Sequence, residues 1–386
     1  MKTPRNRLAR SGTFAVFAVQ GLSFATLLTQ VAAIQGRHRL DEGELTLLLL
    51  IVPVLAGVGS VGAGTLAARL GSKWLLRLAQ PLVAAAVVLT GLAPNVPVLL
   101  VALLLFGLGV GAVDAGMNMQ GVAVERRYGR PLLNGFHCVW SVASLLGALW
   151  ASAMAAVLPL SLTMALPMVL AVAGSLIAGP LLCTIEEEKT EQTAPAAARF
   201  PWKPIIPLCL AMAFLYVGDA AISNFSTVYM KDVLAAGASV IPLAYAAYQA
   251  TTLLVRLGGD FAVRRYGPAA IVRIGGAIAA LGFLGIVLAP NQPLAIVAFG
   301  LTGVGLSVVA PQSFSAAGRL DPAGTGVAIA RVNLFNYVGF IVGAALVGGI
   351  ADAAGMQVAF AAPLVLAAAI IALAPGFHPK LPAQTS

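Results

Sequence analysis

The chain has 386 residues, of which 60% are hydrophobic and only 10% charged. A soluble domain carries about a quarter charged residues, so this composition argues against a soluble fold. The 23 Lys and Arg against 14 Asp and Glu give a net charge of +9, but the basic residues sit singly or in small groups between long apolar runs. That scatter removes a nucleic-acid partner, which needs a gathered basic patch. Cys138, Cys183 and Cys209 lie far apart without metal-ligand spacing and predict buried thiols, not a disulfide framework.

An apolar helix needs about 20 residues to cross a bilayer. Behind a basic tail (Lys2, Arg5, Arg7, Arg10), twelve runs of that kind follow: 14–35, 44–68, 75–93, 97–122, 134–157, 161–183, 204–230, 239–262, 269–289, 293–316, 325–349 and 356–374. The first run is too long for a secretory signal and reads as a retained span. The expected fold is therefore an all-α membrane protein of twelve transmembrane helices. An even number puts both ends on one face. With both termini cytoplasmic, the outer loops hold only Arg37, Arg39 and Lys231, and the other 20 Lys and Arg lie inside. That bias matches the positive-inside rule and explains the net charge without a polyanionic partner. Between runs six and seven, residues 184–203 carry Glu186, Glu187, Glu188, Glu191, Arg199, Lys203 and three prolines within 184–204's neighbourhood, Pro195, Pro201 and Pro204. This reads as a cytoplasmic linker, a solvated tether between an N-terminal six-helix bundle (1–183) and a C-terminal one (204–386).

The two bundles look alike. The block Leu92 to Pro97 (LAPNVP) returns as Leu288 to Pro293 (LAPNQP), an offset of 196 residues that also carries Arg69 to Arg265, Gly71 to Gly267, Arg77 to Arg273, Gly107 to Gly303 and Gly147 to Gly343. A duplicated bundle with a site at the interface of its halves is a transporter architecture.

The segment Gly64 to Lys73 (GTLAARLGSK), with Arg256 to Asp260 (RLGGD) and Arg264 to Gly267 (RRYG) in the second half, resembles the loop motif of the major facilitator superfamily. The run Asp114 to Gly121 (DAGMNMQG), then Glu125 to Arg127 and Phe136-His137, is similar to the fucose-permease-like branch of bacterial inner-membrane members. The resemblance spans essentially the whole chain and implies a multi-pass inner-membrane carrier with the two-bundle fold. It implies gating roles for Arg69, Gly71, Lys73, Arg256, Asp260 and Arg264, and Arg331, near the cytoplasmic start of the eleventh run, is assigned to the gate with them. Two departures stand out. Ala68 occupies a position where the family's loop usually has an Asp that helps latch the inner gate, and the fifth run lacks the Gly-Pro motif of many drug–proton antiporters.

Ionisable groups at membrane depth are costly unless they face water, a partner or the bundle interior. Asp114 follows Gly107 and Gly111 and precedes Asn118 on one helical stripe. Tyr216 and Asp219 share another stripe with Ser223, and Asn224 lies close by. The reading assigns proton coupling to Asp219, Asp114 and His137. It assigns solute binding to Gln20, Gln30, Asn118, Trp140, Tyr216, Asn224, Tyr248, Gln249, Gln312, Asn333, Asn336 and Tyr337, a lining of amides, hydroxyls and aromatics suited to sugar-like solutes. Bland readings stand beside these: Ser and Thr bonded to a carbonyl four residues back, Asn and Gln as helix glue, and a structural ion pair of Asp114 with Arg331. No HExxH, no G-x-S-x-G and no paired metal ligands appear, so no enzyme, cofactor or metal is expected. Neither a repeated filter nor a charge ring suggests a channel. The expected function is proton-coupled secondary transport of a small polar solute by a monomer, with proton-driven efflux of amphiphilic compounds as the alternative.

Overall fold

The computed structural model describes residues 4–40, 42–154, 157–189, 201–237, 240, 243–321 and 324–378. With no water in the hydrocarbon, each backbone N–H and C=O must be satisfied within its own segment, and a helix is the local solution for runs this apolar. In chain order the helices are α1 (Pro4–Leu28), α2 (Val31–His38), α3 (Glu42–Leu70), α4 (Ser72–Leu92), α5 (Val96–Tyr128), α6 (Leu133–Met154), α7 (Leu160–Leu181) and the single turn α8 (Ile185–Glu188). They continue as α9 (Ile206–Val228), α10 (Leu243–Tyr266), α11 (Pro268–Leu288), α12 (Gln292–Leu306), α13 (Val309–Leu320), α14 (Val327–Ala354), α15 (Met356–Ala359) and α16 (Ala361–Leu373). Among the described residues, eleven helical stretches are long and apolar enough to cross a membrane. The expected eighth run, now α10, is not among them. Its Tyr245, Tyr248, Gln249, Arg256 and Asp260 lower its apolarity, yet the helix forms over the run expected at 239–262.

Several landmarks of the 196-residue offset lie where helices start. Asn95 accepts a hydrogen bond from the Val98 N–H at 3.0 Å and opens α5, and Asn291 does the same for the Leu294 N–H at 3.1 Å at the start of α12. Pro97 and Pro293 sit in the first turns, where a missing N–H costs nothing. Gly71 (φ 82°) and Gly267 (φ 80°) take the left-handed turn before α4 and α11, which disfavours any residue with a Cβ.

Several runs are interrupted. The first ends at Leu28, and the chain reorients at Thr29 and Gln30 before α2. The tenth is split between α12 and α13, because Pro311 cannot donate to Ser307, and the twelfth breaks between Ala359 and Ala361, where Pro363 cannot donate to Ala359. A π-helical turn, Tyr229–Val233, extends α9.

The described residues fall into two compact units. The first groups 1–198 with 321–337, and the second groups 199–320 with 338–386, so α14 begins in one and ends in the other. In the first, α3 packs on α5, α1 on α6 and α7, and α4 on α5 and α7. A Cβ on Gly111 of α5 would collide with the Ala56 carbonyl of α3, so the helices meet backbone to backbone. In the second, α11 packs on α12 and α16, and α10 on α12. There Gly303 of α12 meets the Tyr248 carbonyl and the Thr251 hydroxyl of α10 just as closely. Helix approach of this kind gains dispersion contacts in surroundings where lipid removes the hydrophobic drive.

Candidate functional site

The first unit holds a polar network centred on Asp114, half-buried in the middle of α5. Gln20 of α1 donates to its Oδ1 at 2.9 Å, and the Tyr337 hydroxyl of α14 donates to its Oδ2 at 2.5 Å. One turn on, the Asn118 amide donates to the Asp114 carbonyl at 2.8 Å, and the Asn118 Oδ1 lies 3.2 Å from Nε2 of His137 on α6. His137 also sets its ring edge-on to Phe17, with centroids 5.2 Å apart. Helices α1 and α14 thus meet on one carboxylate of α5, α6 joins the network through Asn118, and Gln20, Asn118, His137 and Tyr337 are all buried. The close meeting of α3 and α5 at Gly111 sets the depth and rotation of Asp114 one turn later.

A second link joins α3 to α14. The buried Ser60 hydroxyl donates to the Ala330 carbonyl at 3.0 Å and accepts from the Asn333 amide at 3.0 Å. Asn333 is therefore bonded to helix α3, while Asn336 and Arg331 sit half-buried on α14. Trp140 stacks at a tilt on Phe24, 5.9 Å between centroids, and its carbonyl abuts Gly21. Gln30 lies in the break between α1 and α2.

The second unit has its own acid. Tyr248 of α10 donates to Asp219 of α9 at 2.5 Å, and Tyr245 stands beside it with ring centroids 6.4 Å apart. Arg256, two turns along α10 from Tyr248, acts electrostatically on both Asp219 and Tyr248. Tyr216 lies half-buried one turn before Asp219. Asn224 bonds back to the Ala220 carbonyl at 2.9 Å, and Gln249 is exposed on another face of α10 from Tyr248. Gln312 is buried in α13. Of the loop residues, Arg69 is exposed at the end of α3, Gly71 makes the turn, and Lys73 donates to the Pro180 carbonyl at 3.1 Å. Arg264 donates to the Asp260 carbonyl at 3.2 Å.

A third cluster was not anticipated. Residues 184–189 of the expected tether form the capped turn α8, in which Thr184 and Glu187 cap each other's backbone. The remaining linker, 190–200 with Glu191, Pro195 and Arg199, lies outside the described residues. Glu187 takes two bonds from Arg5, at 2.9 and 2.5 Å, and those bonds hold its carboxyl down at about 2. Glu188 is buried, and burial pushes its carboxyl up to about 7. Its oxygens accept from the Ser72 N–H (3.2 Å), the Ser72 hydroxyl (2.8 Å) and Gln120 (2.9 Å). A sequence signal existed: Thr184-x-x-Glu187 is a capping box, which ends a tether and starts a helix.

Comparison with known proteins follows the same line. A family model described as "Major Facilitator Superfamily" matches residues 208–386, and one described as "Sugar (and other) transporter" matches residues 17–120. An uncharacterized transporter of Sinorhizobium fredii is 30% identical over 366 residues, covering 94% of this chain and 97% of that protein. An uncharacterized MFS-type transporter of Yersinia pestis is 31% identical over 366 residues, covering 93% of both. Among solved structures, FucP in the outward conformation superposes with a TM-score of 0.81 over 96% of this chain and 98% of that one, at 16% identity. At that identity the likeness is one of fold. Twelve-run topology, duplicated helix starts and near full-length relatives all agree, and the chain belongs to the major facilitator superfamily of multi-pass membrane transporters.

Proposed function

We propose that the protein is a secondary active transporter that moves a small polar solute, sugar-like or related, across the bacterial inner membrane by alternating access, coupled to protons. The observation that carries this reading is Asp114, a carboxylate in mid-helix that takes hydrogen bonds from α1 and α14 together. As an anion it accepts from Gln20 and Tyr337. A proton on Oδ1 meets the Gln20 N–H and breaks that tie, whereas a proton on Oδ2 reverses the Tyr337 bond, because a hydroxyl can also accept. Proton occupancy is thereby converted into a change in how α1 or α14 is held, which is what coupling requires. The Asn118–His137 pair beside it offers a relay for that proton. Asp219 with Tyr248 is the corresponding titratable pair of the second unit.

The remaining amides, hydroxyls and aromatic faces bind the solute, among them Gln20, Trp140, Tyr216 and Asn336. The match of the first half to a sugar-transporter family model supports that class. So does the fold likeness to FucP, described elsewhere as the Escherichia coli fucose:proton symporter and superposing with a TM-score of 0.79 at 16% identity. Residues 1–183 and 204–386 are the two bundles that rock, joined by 184–203. The bias of basic residues puts both termini in the cytoplasm.

The test uses the purified chain in proteoliposomes. Neutral hexoses, deoxyhexoses and sugar acids are first ranked by thermal shift, then assayed for counterflow and for uptake driven by a pH gradient. Wild type shows both. Asp114→Asn keeps counterflow and loses gradient-driven accumulation by about tenfold or more, equivalent to about 1.4 kcal/mol of coupling. Undiminished accumulation in that variant removes Asp114 from the coupling role. Flux without counterflow sinks the carrier reading itself.

A further inference from the structure

The linker end of the first unit has no carboxylate in its 71–73 turn or in the preceding residues 64–70. An acid reaches that turn from elsewhere in the chain. Glu188 folds back from α8, and its carboxylate sits at the start of α4, bonded to the Ser72 N–H and hydroxyl and to Gln120 of α5. Gln120 clamps the same strand of chain a second time, accepting from the Cys183 N–H at 2.8 Å and donating to the Cys183 carbonyl at 3.0 Å. The docked backbone then meets the start of α14. Gly324, at φ 66°, runs so close to the Glu188 carbonyl that a Cβ there would strike it. Arg126 of α5 reaches the Glu188 carbonyl at 3.5 Å and the Asp321 carbonyl at 2.8 Å, bridging the two segments. The Asp321 carboxylate in turn caps α14 through Thr325 and the Gly326 N–H, at 2.9 Å each.

We infer that Glu188 is a positioning residue of the transport cycle: docked, it holds the cytoplasmic start of α14 on the first unit, and its release lets that end of α14 go. The proposal rests on the alternating-access reading above. It makes the first residues of the linker part of the gate instead of a passive tether. It also makes the gate answer to cytoplasmic pH. The charged and titratable groups facing Glu188 are Lys73 at the start of α4, Arg126 on α5, Cys183, Glu187 and Lys189 on its own segment, and Asp321 before α14. Burial outweighs the hydrogen bonds, so the docked carboxyl sits up near about 7. Released into water it returns to about 4.3. The docked form therefore holds the proton more tightly. Docking is strongest below about pH 4.3 and weakens as pH rises from there through 7, by about five-hundredfold across the full titration, then levels off. Cytoplasmic acid keeps this gate shut.

Cys183 is a built-in reporter. It is fully buried in the docked segment, where burial pushes its thiol up to about 12 and makes it inert. In the full-length protein with Cys138→Ser and Cys209→Ser, the rate of N-ethylmaleimide labelling is measured from pH 6 to 8.5. Each rate is divided by that of the unfolded chain at the same pH. Expected is protection at pH 6 and a normalised rate rising about tenfold or more by pH 8.5. Glu188→Gln, like the protonated acid, keeps one acceptor oxygen for the Ser72 hydroxyl and Gln120, and gives a protected, flat profile. Glu188→Ala gives a fast, flat one. A second reporter, Ala328→Cys in a cysteine-free chain, tests whether α14 follows. Ala328 is fully buried, and its labelling should rise in step with that of Cys183. Superimposable pH profiles for wild type and Glu188→Gln overturn the proposal. So does exposure of Cys183 with Ala328→Cys still protected. If Glu188→Ala does not fold, the comparison of wild type with Glu188→Gln decides alone. No solute is needed, so the two readings fail separately: loss of coupling in Asp114→Asn leaves these profiles untouched, and flat wild-type profiles leave Asp114 untouched.

Discussion

Two neighbouring glutamates answer to opposite physics. Glu187 is half-buried against a guanidinium and held at about 2, so its contribution to stability is present above pH ~4.5 and fades as pH falls toward 2. Glu188 is buried among neutral donors, raised to about 7, and its docking is favoured by acid. Within the Glu186–Glu188 run only the spacing from Thr184 tells them apart. The distinction is which one turns inward, and that is set by the capping box at Thr184. The same limit applied to Asp114. Its isolation in an apolar run marked it, as did Gly107, Gly111 and Asn118 on its stripe, but the donors Gln20 and Tyr337 lie 94 and 223 residues away. Arg331, weighed as a partner from sequence, is not one of the two groups bonded to the Asp114 carboxylate. The Tyr337 bond can be measured directly. Tyr337→Phe should cost about 1–2 kcal/mol of stability in wild type and close to nothing in an Asp114→Ala background. Equal costs in both backgrounds, by thermal unfolding of the four proteins, would show that the hydroxyl is stabilised by something other than Asp114.

Helix starts were the most legible elements, because their rules are local. Asn95-Val96-Pro97 and Asn291-Gln292-Pro293 cap α5 and α12 alike, and the glycines at 71 and 267 turn the chain alike before α4 and α11. Asn95→Ala and Asn291→Ala should each lower stability by about 1 kcal/mol. The helices they open share no partner, so the double variant should lose the sum within about 0.5 kcal/mol. A double loss far from that sum, read from thermal midpoints, would mean that the two caps are coupled. Breaks within spans were less legible. An apolar run continues through Pro311 and Pro363 with no change of composition, yet each proline removes one backbone bond and the helix parts there. The run at 239–262 was found as α10 despite its polar residues, of which Tyr248 donates to Asp219.

At the scale of the whole molecule, sidedness is the firmest expectation that a measurement can reach. From the bias of basic residues, Lys231, 72% exposed at the side chain in the turn after α9, is expected outside, and Lys203, before α9, inside. In a cysteine-free chain, a membrane-impermeant maleimide should label Lys231→Cys in spheroplasts within minutes and reach Lys203→Cys only after lysis. Labelling of both before lysis, or the reverse order, would invert the topology. The way the chain groups is harder to foresee. Residues 321–337 pack with the first unit, although they follow the linker by more than a hundred residues. Apolar run length, the charge bias and the 196-residue offset were enough to assign a duplicated multi-pass helical protein, because lipid imposes its demands on every residue locally. The pairing of Asp114 with Gln20 and Tyr337, and the return of Glu188 to Ser72, emerged only on folding. Hydrogen bonds between helices depend on rotation and depth, which are set where α3 and α5 meet at Gly111 and where a turn at residue 184 swings the chain inward, and a one-dimensional pattern carries neither.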